Sequence, residues 1–215
     1  MLAACSAEPP PRQADRLQRP APAAEPAPRR VDTLRLNGQR LLASYAGRTF
    51  TGLCTAAGDS VIRANEGVFE LEFLDINADG YTDIQAALFA SDPHACQNWL
   101  FDPRTRTYRL IVGENLYLVR LPGTALYHNY VRVGCGNDCW ESHLIRLVDW
   151  REQVVGVIRA RATGQPDDGI WIYRQRGDAQ TLLQQLPAEQ LAQPRYQGNQ
   201  HRFIEAYWAA NYRRF

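Results

Sequence analysis

Residues Asp75 to Asp83 read Asp-Ile-Asn-Ala-Asp-Gly-Tyr-Thr-Asp, a spacing suited to holding a hard divalent cation. Calcium takes about six to eight oxygen ligands, so a short loop must deliver several oxygens at alternate positions. Asp75, Asn77 and Asp79 would point side-chain oxygens inward, Gly80 would permit the sharp turn, Tyr81 would offer its backbone carbonyl, and Asp83 would close the shell. Three carboxylates this close repel one another without a cation. Magnesium fits less well, because its strict octahedral shell usually keeps water. Asp, Asn and Gly also favour turns, so the competing expectation is a metal-free Asx-rich turn between two strands.

Cysteine is the second chemical signal. If Cys5 carries a lipid, Cys54, Cys96, Cys135 and Cys139 remain, an even set that fits two disulfides in an oxidising compartment. The spacing of Cys135-Gly136-Asn137-Asp138-Cys139 favours a local bridge and leaves Cys54 for Cys96. A zinc site is the alternative, but paired CxxC knuckles are missing. His94, His128, His143 and His201 form no HxH, HExxH or HxxxH unit, and neither a GxSxG elbow nor a phosphate-binding glycine loop occurs. The adjacent pair Asp167-Asp168 points apart and is a poor pair for glycoside hydrolysis. The chain is therefore expected not to be an enzyme.

These groups need a scaffold, and the chain of 215 residues suits one globular unit with an extension. Its 24 basic and 23 acidic residues nearly cancel, which gives no global field for nucleic acid or an anionic membrane. No apolar run is long enough to span a bilayer. Leu2-Ala3-Ala4-Cys5 fits a bacterial lipobox, and residues 6–30 are a Pro- and Ala-rich spacer with little to bury. The expected organisation is a lipobox remnant with acylated Cys5 at 1–5, a disordered tether at 6–30 and one β-rich domain at 31–215. The expected location is the periplasm, anchored by lipid alone to a bacterial membrane, with the outer membrane favoured over the inner. Ser6 after the acylated Cys gives no argument for inner-membrane retention and does not decide between them.

From Val31 onward, short alternating segments separated by turn residues predict antiparallel sheet. Strands are expected at 48–54, 68–74, 98–101, 107–112, 116–121, 126–133, 143–149, 153–161 and 169–175. Phe69, Leu71 and Phe73 form the expected buried face of their strand. Asp102-Pro103-Arg104-Thr105 predicts a tight hairpin turn, and 163–168 a longer one. At the C-terminus, Asp178 is expected to cap a helix over 179–186 that Pro187 stops. A second helix over 202–213 would show an aromatic face of Phe203, Ile204, Tyr207, Trp208 and Tyr212.

The strand, the DINADGYTD loop and the DPRTRTY hairpin follow in order between Phe69 and Tyr108. The loop departs from an EF-hand, because Ala86 stands where the closing Glu belongs and a strand precedes it. It resembles instead the strand-loop-strand calcium motif of FG-GAP and VCBS-type β proteins. The whole run resembles a bacterial periplasmic family related to I-type lysozyme inhibitors. That family includes lipoprotein immunity proteins protecting against peptidoglycan-cleaving effectors of antibacterial type IV secretion systems. The resemblance implies a mainly β, antiparallel, partly propeller-like calcium-binding domain that inhibits a peptidoglycan hydrolase as its protein partner. The expected contact stretch is Tyr127 to Trp140, with Tyr127, His128, Tyr130, Arg132, Asn137 and Trp140 as candidates, since a small disulfide loop is preorganised. The alternative is a cell-envelope scaffold or carbohydrate-binding lipoprotein, with Trp99, Trp140, Trp150, Trp171 and Trp208 as possible stacking platforms.

Overall fold

The computed structural model describes residues 28–63, 67–90, 92 and 94–215. The expected lipobox with Cys5 and nearly all of the 6–30 tether lie outside the described residues, among which the first strand starts at Arg29. Three antiparallel sheets follow. The first orders β1 (Arg29–Leu36), β2 (Gln39–Ala46), β3 (Thr49–Thr55) and β4 (Ser60–Arg63) as neighbours in sequence. Its first turn is Asn37-Gly38, with φ of 50° and 70°, the left-handed pair that a two-residue hairpin needs to match strand twist.

The second sheet orders β5 (Val68–Leu74), β6 (Asp83–Leu88), β7 (Cys96–Asp102) and β8 (Thr107–Leu110). The expected turn after Asp102 is present, closed by the Arg106 amide donating to the Asp102 carbonyl at 2.7 Å. The third sheet runs β9 (Val119–Arg120), β10 (Leu126–His128), β12 (Cys139–Val148), β13 (Arg151–Arg161), β14 (Gly169–Arg176) and β15 (Ala179–Leu186), with β11 (Val131–Arg132) also pairing with β12. The chain then enters α1 (Gln200–Asn211), capped by the Asn199 side chain accepting from the Arg202 amide at 3.1 Å.

The mainly β, antiparallel expectation holds, but the partly propeller-like one does not. A propeller repeats equivalent four-stranded blades around a channel. Here two four-stranded sheets accompany a seven-stranded one, each follows an open path, and none curls closed. The C-terminal helix at 179–186 is also corrected. Gly177-Asp178 forms a two-residue hairpin turn between Arg176 and Ala179, so Asp178 is a turn residue and 179–186 becomes β15. The exposed edge of β14, whose Ile170 and Ile172 are buried, gains a full ladder of hydrogen bonds from that strand.

Three apolar clusters hold the sheets. Leu41, Phe50, Leu53 and Ile62 of the first sheet meet Val68, Ile84, Phe101 and Tyr108 of the second. Leu100, Ile111, Leu118, Tyr127 and Ile145 join the second sheet to the third. Helix α1 lays Phe203, Ile204, Tyr207 and Trp208 on the third sheet, as its spacing predicts, and the Trp208 indole donates to the Ser142 hydroxyl at 2.9 Å. The face assigned to β5 is only partly as expected. Leu71 packs against the first cluster, but Phe69 and Phe73 are exposed: a bulge between Val68 and Glu70 shifts the register at Phe69, and Val68 takes the buried place.

Candidate functional site

The Asp75–Asp83 loop joins β5 to β6, the strand-loop-strand setting that its spacing predicts. Both Asp75 oxygens are occupied by loop amides, Asp79 at 3.1 Å and Gly80 at 2.9 Å. Asn77 accepts from the Asp79 amide at 3.0 Å and donates to the Asp79 carboxylate at 2.9 Å, while Asp79 accepts from the Tyr81 amide at 2.9 Å. The backbone turns sharply to allow this, with φ of 55° at Ala78 and 88° at Gly80. The exposed Asp75 and Asp79 and the half-buried Asn77 therefore converge on one turn.

Asp83 does something else. Wholly buried, it accepts from the Ile76 amide at 2.9 Å and from the Phe101 amide at 2.8 Å, pinning the loop to β7. Burial pushes its carboxyl up to about 6; the two amides oppose that rise, and the neighbouring charges of Asp79 and Asp75 add to it. The opposite side of the loop is clasped from the first sheet. Asn37, at the tip of the β1–β2 hairpin, accepts from the Thr82 amide at 2.8 Å and donates to the Thr82 carbonyl at 2.7 Å and the Tyr108 hydroxyl at 3.1 Å. Nothing local in the sequence links Asn37 to a loop some forty residues away; its Asn-Gly turn dipeptide was the one signal.

A carboxylate offers about four lone-pair sites, so a bound amide on each oxygen leaves acceptor capacity for a cation. The donor set is all hard oxygen, which suits calcium. Among the described residues no three His, Cys, Asp or Glu side chains already form a metal cluster.

The local Cys135–Cys139 bridge is formed. The expected second bridge is not. Cys54 lies in β3 of the first sheet and Cys96 in β7 of the second, and both are free thiols. Cys96 is fully buried, and that burial pushes its thiol up to about 12, which makes it unreactive. Of the expected contact residues, Tyr127, His128, Tyr130 and Trp140 are buried and cannot project to a partner. Alternation along a strand reveals two faces without saying which meets the core. Arg132 and Asn137 do reach the surface, with the Arg132 guanidinium donating to the Asn137 side chain at 3.4 Å.

The sequence gives no hint of a polar network around His143. Its Nδ1 meets Glu114 at 2.5 Å and its Nε2 meets Glu141 at 3.3 Å, while Arg159 donates to Glu141 at 2.8 Å. Burial opposes charge on this imidazole, but hydrogen bonds to Glu114 and Glu141 carry its pKa up to about 9. Burial likewise opposes the two carboxylates, and the His143 hydrogen bonds outweigh it and keep both below their ordinary range. With both ring nitrogens donating, His143 has no lone pair left to bind metal or accept a proton. The other three histidines, far apart in sequence, gather around Tyr130. His94 and His201 lie 4.8 Å and 4.6 Å from its ring, and His128 lines the same recess.

No family model and no curated protein matches this chain. Among solved structures it is similar to one described as "Structure of a Xanthomonas Type IV Secretion System related protein", with a TM-score of 0.44 and 11% sequence identity, covering 69% of this chain and 79% of that chain.

Proposed function

We propose that the chain is an exported, calcium-stabilised lipoprotein that binds and inhibits a peptidoglycan-cleaving glycoside hydrolase. The observation that carries this reading is the Cys135–Cys139 loop, which stands exposed from Gly134 to Asp138 and is tied at both ends. A preformed loop loses little conformational entropy when it docks. Arg132 lies beside it, next to a shallow cavity of about 380 Å³ shared with Asp92, Gly134 and Gly136. Glycoside hydrolases act through a pair of carboxylates, and a guanidinium is the group best shaped to engage one. A disulfide also belongs to an oxidising compartment, which supports export.

Calcium enters as a structural ion held by Asp75, Asn77, Asp79 and the Tyr81 carbonyl, with Asp83 behind them. It would neutralise like charges on the loop and hold β5 and β6 together. Asp83 supplies charge from beneath, since its oxygens are directed to Ile76 and Phe101. In this reading the chain is a binder and no step of catalysis belongs to it.

The test is clearing of a peptidoglycan suspension by a panel of purified lysozymes with the chain added. Slowed clearing by one of them, a stoichiometric complex on gel filtration and at least a tenfold loss of inhibition in Arg132→Ala are expected. If the chain sediments with peptidoglycan yet slows no hydrolase, the scaffold or carbohydrate-binding reading replaces this one.

A further inference from the structure

Between β9 and the outer face of α1 lies a cavity of about 560 Å³. Three arginines line it: Arg120 on β9, Arg195 on the loop before the helix, and Arg202 in its first turn. Each guanidinium is positioned by a neutral acceptor. Arg120 donates to the Thr124 carbonyl at 3.0 Å, Arg195 to the Gln193 side chain at 3.0 Å, and Arg202 to the Gln197 side chain at 2.8 Å. Arg195 is further fixed by stacking over Tyr196, 4.6 Å from the ring centre. Among the described residues none of the three forms an ion pair, whereas Arg30, Arg104, Arg109, Arg159 and Arg161 all do. Glu205 is the single carboxylate in the lining, and His128, whose burial lowers its pKa to about 4, is neutral. The lining therefore keeps an excess of two positive charges.

The rest of the wall is apolar. Val119, Leu121 and Pro122 form one side, and Ala206 and Ala209, one turn apart on α1, form the other. Small side chains at those two helical positions keep the space open. The volume falls within the range of about 300–1,000 Å³ typical of small-molecule sites and exceeds what an inorganic ion would fill.

We propose that this cavity is a binding site for a small organic oxyanion with an apolar body, its charged head held by Arg120, Arg195 and Arg202 and its body set against the alanine face of α1. Guanidinium groups match carboxylate and phosphate heads alike through paired hydrogen bonds. The site is independent of the disulfide loop and of the reading of that loop given above.

Titration calorimetry on the full chain with hexanoate, hexyl phosphate, hexanamide and inorganic phosphate tests it. Saturable binding of hexanoate or hexyl phosphate is expected, with the better of the two identifying the head group. Hexanamide and inorganic phosphate should each bind at least tenfold more weakly. Arg120→Gln and Arg202→Gln should each weaken the organic anion at least tenfold, Ala206→Leu should block it by filling the cavity, and Glu205→Gln should tighten it. Both Arg202 and Ala206 are exposed on the helix, so those variants keep the fold, which circular dichroism verifies. Equal binding of hexanoate and hexanamide, equal binding of hexyl phosphate and inorganic phosphate, unaltered affinity in the arginine variants, or no binding of either organic anion overturns the proposal.

Discussion

The Asp75–Asp83 loop and the His143 network are both rich in acid, and they manage their charge in opposite ways. Around His143, two glutamates share one imidazolium and Arg159, so the network supplies its own cations. In the loop, the carboxylates lean on backbone amides, and the charges that Asp83 feels are those of Asp79 and Asp75, of its own sign. An amide dipole can orient a carboxylate but does not cancel its charge. The first arrangement is complete as it stands and reads as a structural tie, whereas the second leaves a role for a cation from solution.

That contrast can be broken experimentally. The largest effect should come from His143→Ala, which strands Glu114 and Glu141 without their shared partner. A loss of about 2–3 kcal/mol in urea unfolding is expected, less than for a fully enclosed pair because the Glu114 side chain is 39% exposed. A stability unchanged by this substitution would end the view that the network is self-sufficient. Next comes pH. His143 titrates near 9 when folded against an ordinary 6.5, so its stabilisation is complete below pH 6.5 and disappears as pH rises through 9. In wild type this amounts to roughly 2 kcal/mol, and in His143→Ala the same pH range should show a flatter curve.

The loop side of the comparison calls for gentler tools. Asn37→Gly keeps the left-handed turn, removes the clasp on Thr82 and Tyr108, and should cost about 1.5 kcal/mol. The smallest expected effect is calcium's own. At tenfold excess over its dissociation constant, the ion adds about 1.4 kcal/mol, seen as a rise of several degrees in Tm. Asp79→Ala should remove that rise while leaving the His143 pH response intact. If wild type shows no rise at millimolar calcium, the loop is an Asx turn and nothing more.

What could be read from the sequence was what the chain keeps contiguous. Nine adjacent residues announce the loop, four announce the turn at Asp102, and the spacing of Phe203 to Trp208 announces α1. Features that depend on register across sheets were hidden. Glu114, Glu141 and His143 meet because β12 runs past the segment after β8, and Asn37 reaches Thr82 only once two sheets pack. The segment 179–186 carries Leu182, Leu183 and Leu186, which fit a helical face about as well as a strand, and the unsatisfied edge of β14 decided between them. Phe69 and Phe73 alternate with Leu71 as core residues would, but alternation in the sequence does not show the bulge between Val68 and Glu70 that displaces Phe69.

The order of strands within each sheet has one more consequence, for the way the chain acquires its shape. In the two four-stranded sheets the neighbours in space follow the order of synthesis, and in the third only the β10–β12 pairing steps over a strand, β11, so most ladders are closed by a short connection. Such local pairings form quickly because little chain must be looped to make them. The slow events are then the dockings, above all the clusters that join one sheet to the next and the laying of α1 onto the third sheet. A chain interrupted before Gln200 would hold most of its hydrogen bonds and still expose the apolar face of its largest sheet.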